Sequence, residues 1–260
     1  MNVKVNITKK DLIVIFGCVA FLLLNLSAVN YGGRERAKII VCQTNLKMIG
    51  QAQFLFLNDN DDRFPNAWTS LTATESPVAG YQRYCRWHDS KYPPDGPLFS
   101  PYIDKDKVLL CPTFNKIAKQ IGQNHPLHDA SIPIVPQYSY SMNARLGSRT
   151  GCVSGGVLKR SEITRNKAEV FLFAEENIWL RPSCNTVLND TALCPDGRDW
   201  FGTFHNTTSD NLNAGTVNVV FVDGHVQQVS SALKADPSDT SEMEFGQFEK
   251  YGWPFQEPYR

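Results

Sequence analysis

The chain has no excess of either charge, since its 26 Lys and Arg are balanced by 26 Asp and Glu. Without a net field, nothing recommends nucleic acid or another polyanion as a partner. Internal repeats and low-complexity stretches are also missing, and the 17 Gly and 15 Pro are scattered rather than periodic. No Gly-x-Ser-x-Gly elbow is present, and no cysteine has a histidine at a telling offset, so nucleophilic catalysis finds no support. None of the 7 Cys falls in a C-x-x-C pair, the spacing that zinc ribbons and thioredoxin-like redox sites require. These absences lead us to expect neither an enzyme nor a cofactor.

What the chain does have is an apolar run, Leu12 to Val29 (LIVIFGCVAFLLLNLSAV), with no charge and one strongly polar member, Asn25. As a helix it would rise about 27 Å, close to the roughly 30 Å hydrocarbon core of a bilayer. A transmembrane helix over residues 12–30 is therefore expected, with membrane lipid as its partner and residues 1–11 as a cytoplasmic tail. Lys4, Lys9 and Lys10 before the run, and Ser27-Ala28-Val29 near its end, leave a cleaved secretory signal as an alternative. A buried core helix is a third. Positive charges on the two sides nearly match, so they barely discriminate orientation. Cysteine usage helps more. Outside the run, Cys42, Cys85, Cys111, Cys152, Cys184 and Cys194 form an even set, which suits disulfides in an oxidising exterior. Cys184 with Cys194, across a loop of turn formers, is the first pairing expected, and free buried thiols are the alternative. The expectation is thus a single-pass inner-membrane protein with its carboxyl-terminal domain periplasmic or extracellular.

An amphipathic stalk follows over residues 31–58. Ile39, Cys42, Leu46, Ile49, Gln53 and Phe56 recur at steps of three or four, which puts one face of a helix toward a core. Gly32-Gly33 predicts a kink or break at its start. Asn58-Asp59-Asn60-Asp61-Asp62 predicts its end. Those carboxylates offer oxygen for calcium, yet the run lacks the Gly and Glu of an EF-hand loop, so a solvated turn is the plainer reading. Residues 59–260 read as one α+β domain. Its stretch 66–136 is proline-bearing and irregular, Tyr138 to Met142 alternates as a strand, and Val170 to Ala174 reads as a buried strand. Val217 to Val222, Asp223-Gly224 and His225 to Val229 predict a β-hairpin near 217–229 with a two-residue type I′ turn.

Cys42-Gln43-Thr44-Asn45-Leu46-Lys47-Met48-Ile49-Gly50, Asn58 to Asp61, Phe64-Pro65, Gly96-Pro97-Leu98, Leu110-Cys111-Pro112 and the closing Val219 to Val226 together resemble the exported prepilin-type, H-x(9)-D-G (DUF1559-like) proteins. These are similar to type II secretion pseudopilins and type IV pilin-like proteins. The resemblance implies a long N-terminal helix packed by its outer half on an antiparallel sheet, with Asn45, Leu46, Asp223, Gly224 and His225 as motif residues. It also implies a structural or interaction role alongside other pilin-like subunits, with no established enzymatic activity and an oligomeric state left open. The chain departs from the pattern in two places. The processing Gly falls on Asn6 and two lysines follow, which argues against peptidase cleavage and against assembly by sliding such helices together. The family histidine falls on Asn213, and an insertion over 206–213 would instead make His205 its equivalent.

Three further constellations remain open. His205, Asp223 and His225 would suit zinc or iron if the strand carrying His205 pairs beside the hairpin; otherwise they serve a turn, a strand and an ordinary hydrogen bond. Glu175-Glu176 are candidate acid and base, but neighbours on a strand point to opposite faces. Trp87, Tyr138, Tyr140, Trp179 and Trp200 form either a sugar-binding surface or core. The alternative function is therefore an anchored carbohydrate-binding module or metal-dependent hydrolase.

Overall fold

The computed structural model describes residues 8–72, 87–98, 102–104, 108–121, 131–149, 155–177, 191–194, 199, 201–207, 212, 214–230 and 251–256, with the side chains of 26–31 and 121 left aside. Among the described residues, five strands and two α-helices make a mixed α+β fold. Helix α1 (Lys9–Asp59) starts at Thr8, whose hydroxyl caps Asp11 N–H while the Asp11 carboxylate accepts from Thr8 N–H, a reciprocal pair that satisfies otherwise orphaned donors. The helix runs through Gly32 and Gly33 without a break, contrary to the expected kink. Two glycines weaken a helix by about 1 kcal/mol each, and long helical stretches on both sides outweigh that cost.

The sheet has the order β3-β1-β2-β4-β5, from β1 (Tyr140–Asn143), β2 (Phe171–Glu175), β3 (Ala192–Leu193), β4 (Thr216–Phe221) and β5 (Val226–Ser230). It is mixed rather than antiparallel throughout, because β1 pairs parallel with β3. Both faces are covered. On one, Tyr140, Met142, Phe173 and Val220 join the main core with Cys42, Leu46 and Ile49 of α1. On the other, Phe171, Val217, Val219 and Phe221 pack with Phe201 and Tyr251. Double burial explains why β1 and β2 are buried at every position, although Tyr138 to Met142 alternates in the sequence. The register shifts between Phe171 and Phe173, so Leu172 and Phe173 both serve the main core. Helix α2 (Pro112–Ile121) lies against α1.

The closing hairpin is present, with Val217 opposite Val229 and Val219 opposite Gln227. Its turn differs from expectation: Gly224 has φ 85° and Asp223 is not in the left-handed region. Gly224 N–H donates to Phe221 O, and Phe221 N–H to His225 O, a three-residue loop in which a type I turn is followed by a left-handed glycine. Helix α1 grips this loop, since Lys47 Nζ donates to the Gly224 carbonyl at 2.7 Å. The acidic run after α1 is a clasp rather than a free turn. Asp62 pairs with Arg160 at 2.8 Å and accepts from Ser161 N–H, while Asp59 accepts from the Tyr102 hydroxyl.

Among the described residues no helix is long and apolar enough to cross a membrane. This corrects the expected span over 12–30, with its lipid partner, and the inner-membrane placement with a cytoplasmic tail and periplasmic domain.

A Cβ on Gly224 would lie 2.7 Å from the Phe54 ring, at a backbone angle that L residues rarely adopt. Gly224→Ala is therefore expected to lower unfolding stability by about 1–3 kcal/mol, measured by urea denaturation with an unchanged slope.

Candidate functional site

Two regions stand out as chemically uncommitted: a buried cluster where α1 meets the sheet, and the projecting half of α1. The cluster joins Cys42, Cys111, Glu175 and His205, whose donor atoms all lie within 4.8 Å of one another. Four separate pieces of chain position them. Cys42 is on the sheet-facing side of α1, and Cys111 immediately precedes α2. Glu175 ends β2, and His205 sits on a short bridge that pairs with Thr216 at the start of β4. All four are buried.

The local sequence accounts for each placement. Pro112 opens α2, where its missing N–H costs nothing, and this puts Cys111 at the helix mouth. Phe114 N–H points back to Cys111 Sγ at 3.5 Å, and Cys111 N–H donates to Ser139 Oγ at 2.8 Å. The imidazole Nε2 of His205 donates to Glu175 Oε1 at 2.8 Å and lies 3.6 Å from Cys111 Sγ. The other Glu175 oxygen accepts from Asn218 N–H at 3.1 Å and from its side-chain amide at 3.4 Å. Beside the cluster, Asn45 Nδ2 reaches Leu110 O and the Tyr140 hydroxyl, while Leu46 is core.

Burial pulls the His205 imidazole down, but the Glu175 carboxylate and Cys42 outweigh it and raise the group to about 10. At Cys42 burial penalises the thiolate, yet hydrogen bonds from Cys111 and His205 prevail and bring the thiol below its ordinary value. At Cys111 burial pushes the thiol well up, and its neighbours Cys42 and Glu175 add to the rise. Within the cluster, the proton is therefore held on His205 beside the Glu175 carboxyl.

The metal set that the sequence left open, His205 with Asp223 and His225, does not assemble. His205 pairs with Thr216 at one end of β4, whereas Asp223 and His225 follow its other end. The six residues of β4 between them span roughly 17 Å. Asp223 and His225 instead pair with each other in the turn at 2.6 Å, with side chains 38% and 39% exposed, and the His225 ring stacks on Phe221. Glu175 and Glu176 diverge as expected: Glu176 accepts from the Ser141 hydroxyl. Trp87, Tyr138 and Tyr140 are core, not a sugar platform, and Trp179 and Trp200 lie outside the described residues. Cys42 and Cys111 are free thiols rather than disulfide halves, as is the exposed Cys18. Cys194 is disulfide-bonded, and Cys85, Cys152 and Cys184 lie outside the described residues. Asn213 and Asn6 do too.

Sequence reasoning named all four cluster residues, but under three separate headings. No short spacing ties them together, and only the strand order brings Glu175 beside His205. In the second region, Leu12 to Leu24 carry large apolar side chains on every side of the helix, from Val19 at 47% exposure to Phe16 at 76%.

No family model, curated protein or solved structure matches the chain. The prepilin-type, DUF1559 and type II secretion terms drawn from the sequence resemblance are accordingly withdrawn.

With both thiols buried and reduced, iodoacetamide is expected to alkylate Cys18 in the native protein at least about 100-fold faster than Cys42 or Cys111, which react only on opening. Peptide mapping before and after urea checks this. Recovery of Cys42 and Cys111 joined to each other would contradict it.

Proposed function

We propose that the protein is a self-associating structural or interaction protein of pilin-like arrangement, in which one half of α1 is held by the domain and the other half packs against further copies of the chain. The observation that carries this reading is the division of a single helix. Cys42, Leu46, Ile49 and Leu57 are buried on the sheet, while Leu12 to Leu24 are exposed all round. A helix that is apolar on every face is not at rest in water. Contiguous exposed apolar surface well above a few hundred Å² marks an interaction site.

Copies of the same chain are the occupant of choice because the stretch carries no charge, which leaves shape and apolar area as the means of recognition. Equivalent helices are then self-complementary. Lys9 and Lys10 do not interrupt the stretch, since they occupy the first turn beside the Thr8 cap. The reading needs no catalytic machinery. The alternative, a carbohydrate-binding module or hydrolase, loses support from the burial of Trp87, Tyr138 and Tyr140.

Sedimentation of the full chain in detergent-free buffer tests the proposal. The wild type is expected to be oligomeric at tens of micromolar, and Phe16→Glu with Leu23→Glu is expected to weaken association by at least about 100-fold through two buried charges. A wild type that stays monomeric, or a double variant that associates equally well, would overturn it.

A further inference from the structure

The cluster at the seam supports a second and independent inference, which does not rest on self-association. We infer that Cys42, Cys111, Glu175 and His205 form a binding site for one thiophilic divalent ion of the zinc type, stapling α1 to the sheet. Two thiolates, an imidazole and a carboxylate make four ligands, of the three types zinc takes in tetrahedral sites. With metal–sulfur bonds near 2.3 Å and metal–nitrogen near 2.05 Å, a tetrahedral site sets sulfur and nitrogen about 3.5 Å apart. Cys111 Sγ and His205 Nε2 are separated by 3.6 Å. Glu175 Oε1 and His205 Nε2, now 2.8 Å apart, must part by about half an ångström to share an ion. That is a small rotation for two side chains joined only by the hydrogen bond the ion replaces.

The surroundings suit an ion as well. Two thiolates and a carboxylate around a divalent cation leave one net negative charge, and a buried charge needs donors. Phe114 N–H aims at Cys111 Sγ, and Asn218 supplies two N–H groups to the free oxygen of Glu175. These groups orient the ligands and offset the residual charge, as outer-shell partners of metal sites do. Coordination releases the thiol protons and the imidazole Nε2 proton to solvent, with no change in oxidation state. The four ligands come from four separate segments, so binding would couple ion affinity to the folded state. The two thiols are free, as metal ligands must be and as a structural disulfide would not leave them.

Titration of the reduced, metal-free full chain with Co²⁺, followed by displacement with Zn²⁺, tests the inference. One equivalent per chain is expected, with the strong visible bands of a tetrahedral site and a sulfur-to-cobalt charge-transfer band. Zinc should abolish both signals and raise the melting temperature. Cys42→Ser and Cys111→Ser should each reduce the charge-transfer intensity and weaken binding at least tenfold, and His205→Gln should weaken it while keeping that band. Cys18→Ser should change nothing. Native mass spectrometry of the wild type, expected to show one zinc per chain, serves if a variant fails to fold. The inference falls if the reduced protein takes up no ion, if the cobalt spectrum is the weak one of an octahedral oxygen site, or if binding survives both cysteine substitutions. A Cys42–Cys111 disulfide that re-forms in air while the reduced protein binds no metal would also overturn it. Sedimentation behaviour is no part of these outcomes, so failure here leaves the proposed self-association standing.

Discussion

The structure depends on the seating of the second half of α1 across the sheet. Cys42, Leu46 and Ile49 reach the main core from the helix, and Val220 and Phe173 reach it from the strands. Each such side chain gains roughly 1.5–3 kcal/mol by leaving water. Gly50 lets the two surfaces close, since a Cβ there would stand 2.9 Å from Val220 Cγ2. Lys47 and the ring of Phe54 then fix the end of the hairpin against the helix, and Asp62 with Arg160 closes the far end. The remainder of the fold is arranged around this contact.

The seam explains why a polar cluster is tolerated in the interior. A lone buried histidine or carboxylate would cost several kcal/mol, but His205 and Glu175 neutralise each other and Asn218 meets the remaining oxygen. The thiols of Cys42 and Cys111 fill the gap between helix and sheet as small apolar groups. The same burial that makes them good filling brings them within reach of the two polar ligands. Packing and ligand geometry are therefore properties of one place, where four segments meet.

How much of this was legible in the sequence varies by residue. The spacing of Ile39, Cys42, Leu46 and Ile49 marked the buried face of α1, because a helix repeats every 3.6 residues whatever it packs on. Asp223-Gly224 marked the hairpin, although the turn places positive φ on Gly224 alone, a detail set by the grip of Lys47 and Phe54. The parallel pairing of β1 with β3 left no trace, since β3 is two residues long. His205 stood out as a candidate ligand, but its partners were misassigned to Asp223 and His225. Nearness in sequence to a turn suggested them, whereas pairing with Thr216 carries the imidazole to the opposite end of β4.

The central claim is that α1 is one rod in two environments, seated from Cys42 to Leu57 and self-associating from Leu12 to Leu24. Hydrogen–deuterium exchange along the helix at two protein concentrations tests this most directly. The account expects amides of the seated half to exchange slowly at both concentrations. Those of Leu12 to Leu24 should exchange faster in dilute protein and become protected as concentration rises. Equal protection along the whole helix, independent of concentration, would contradict it.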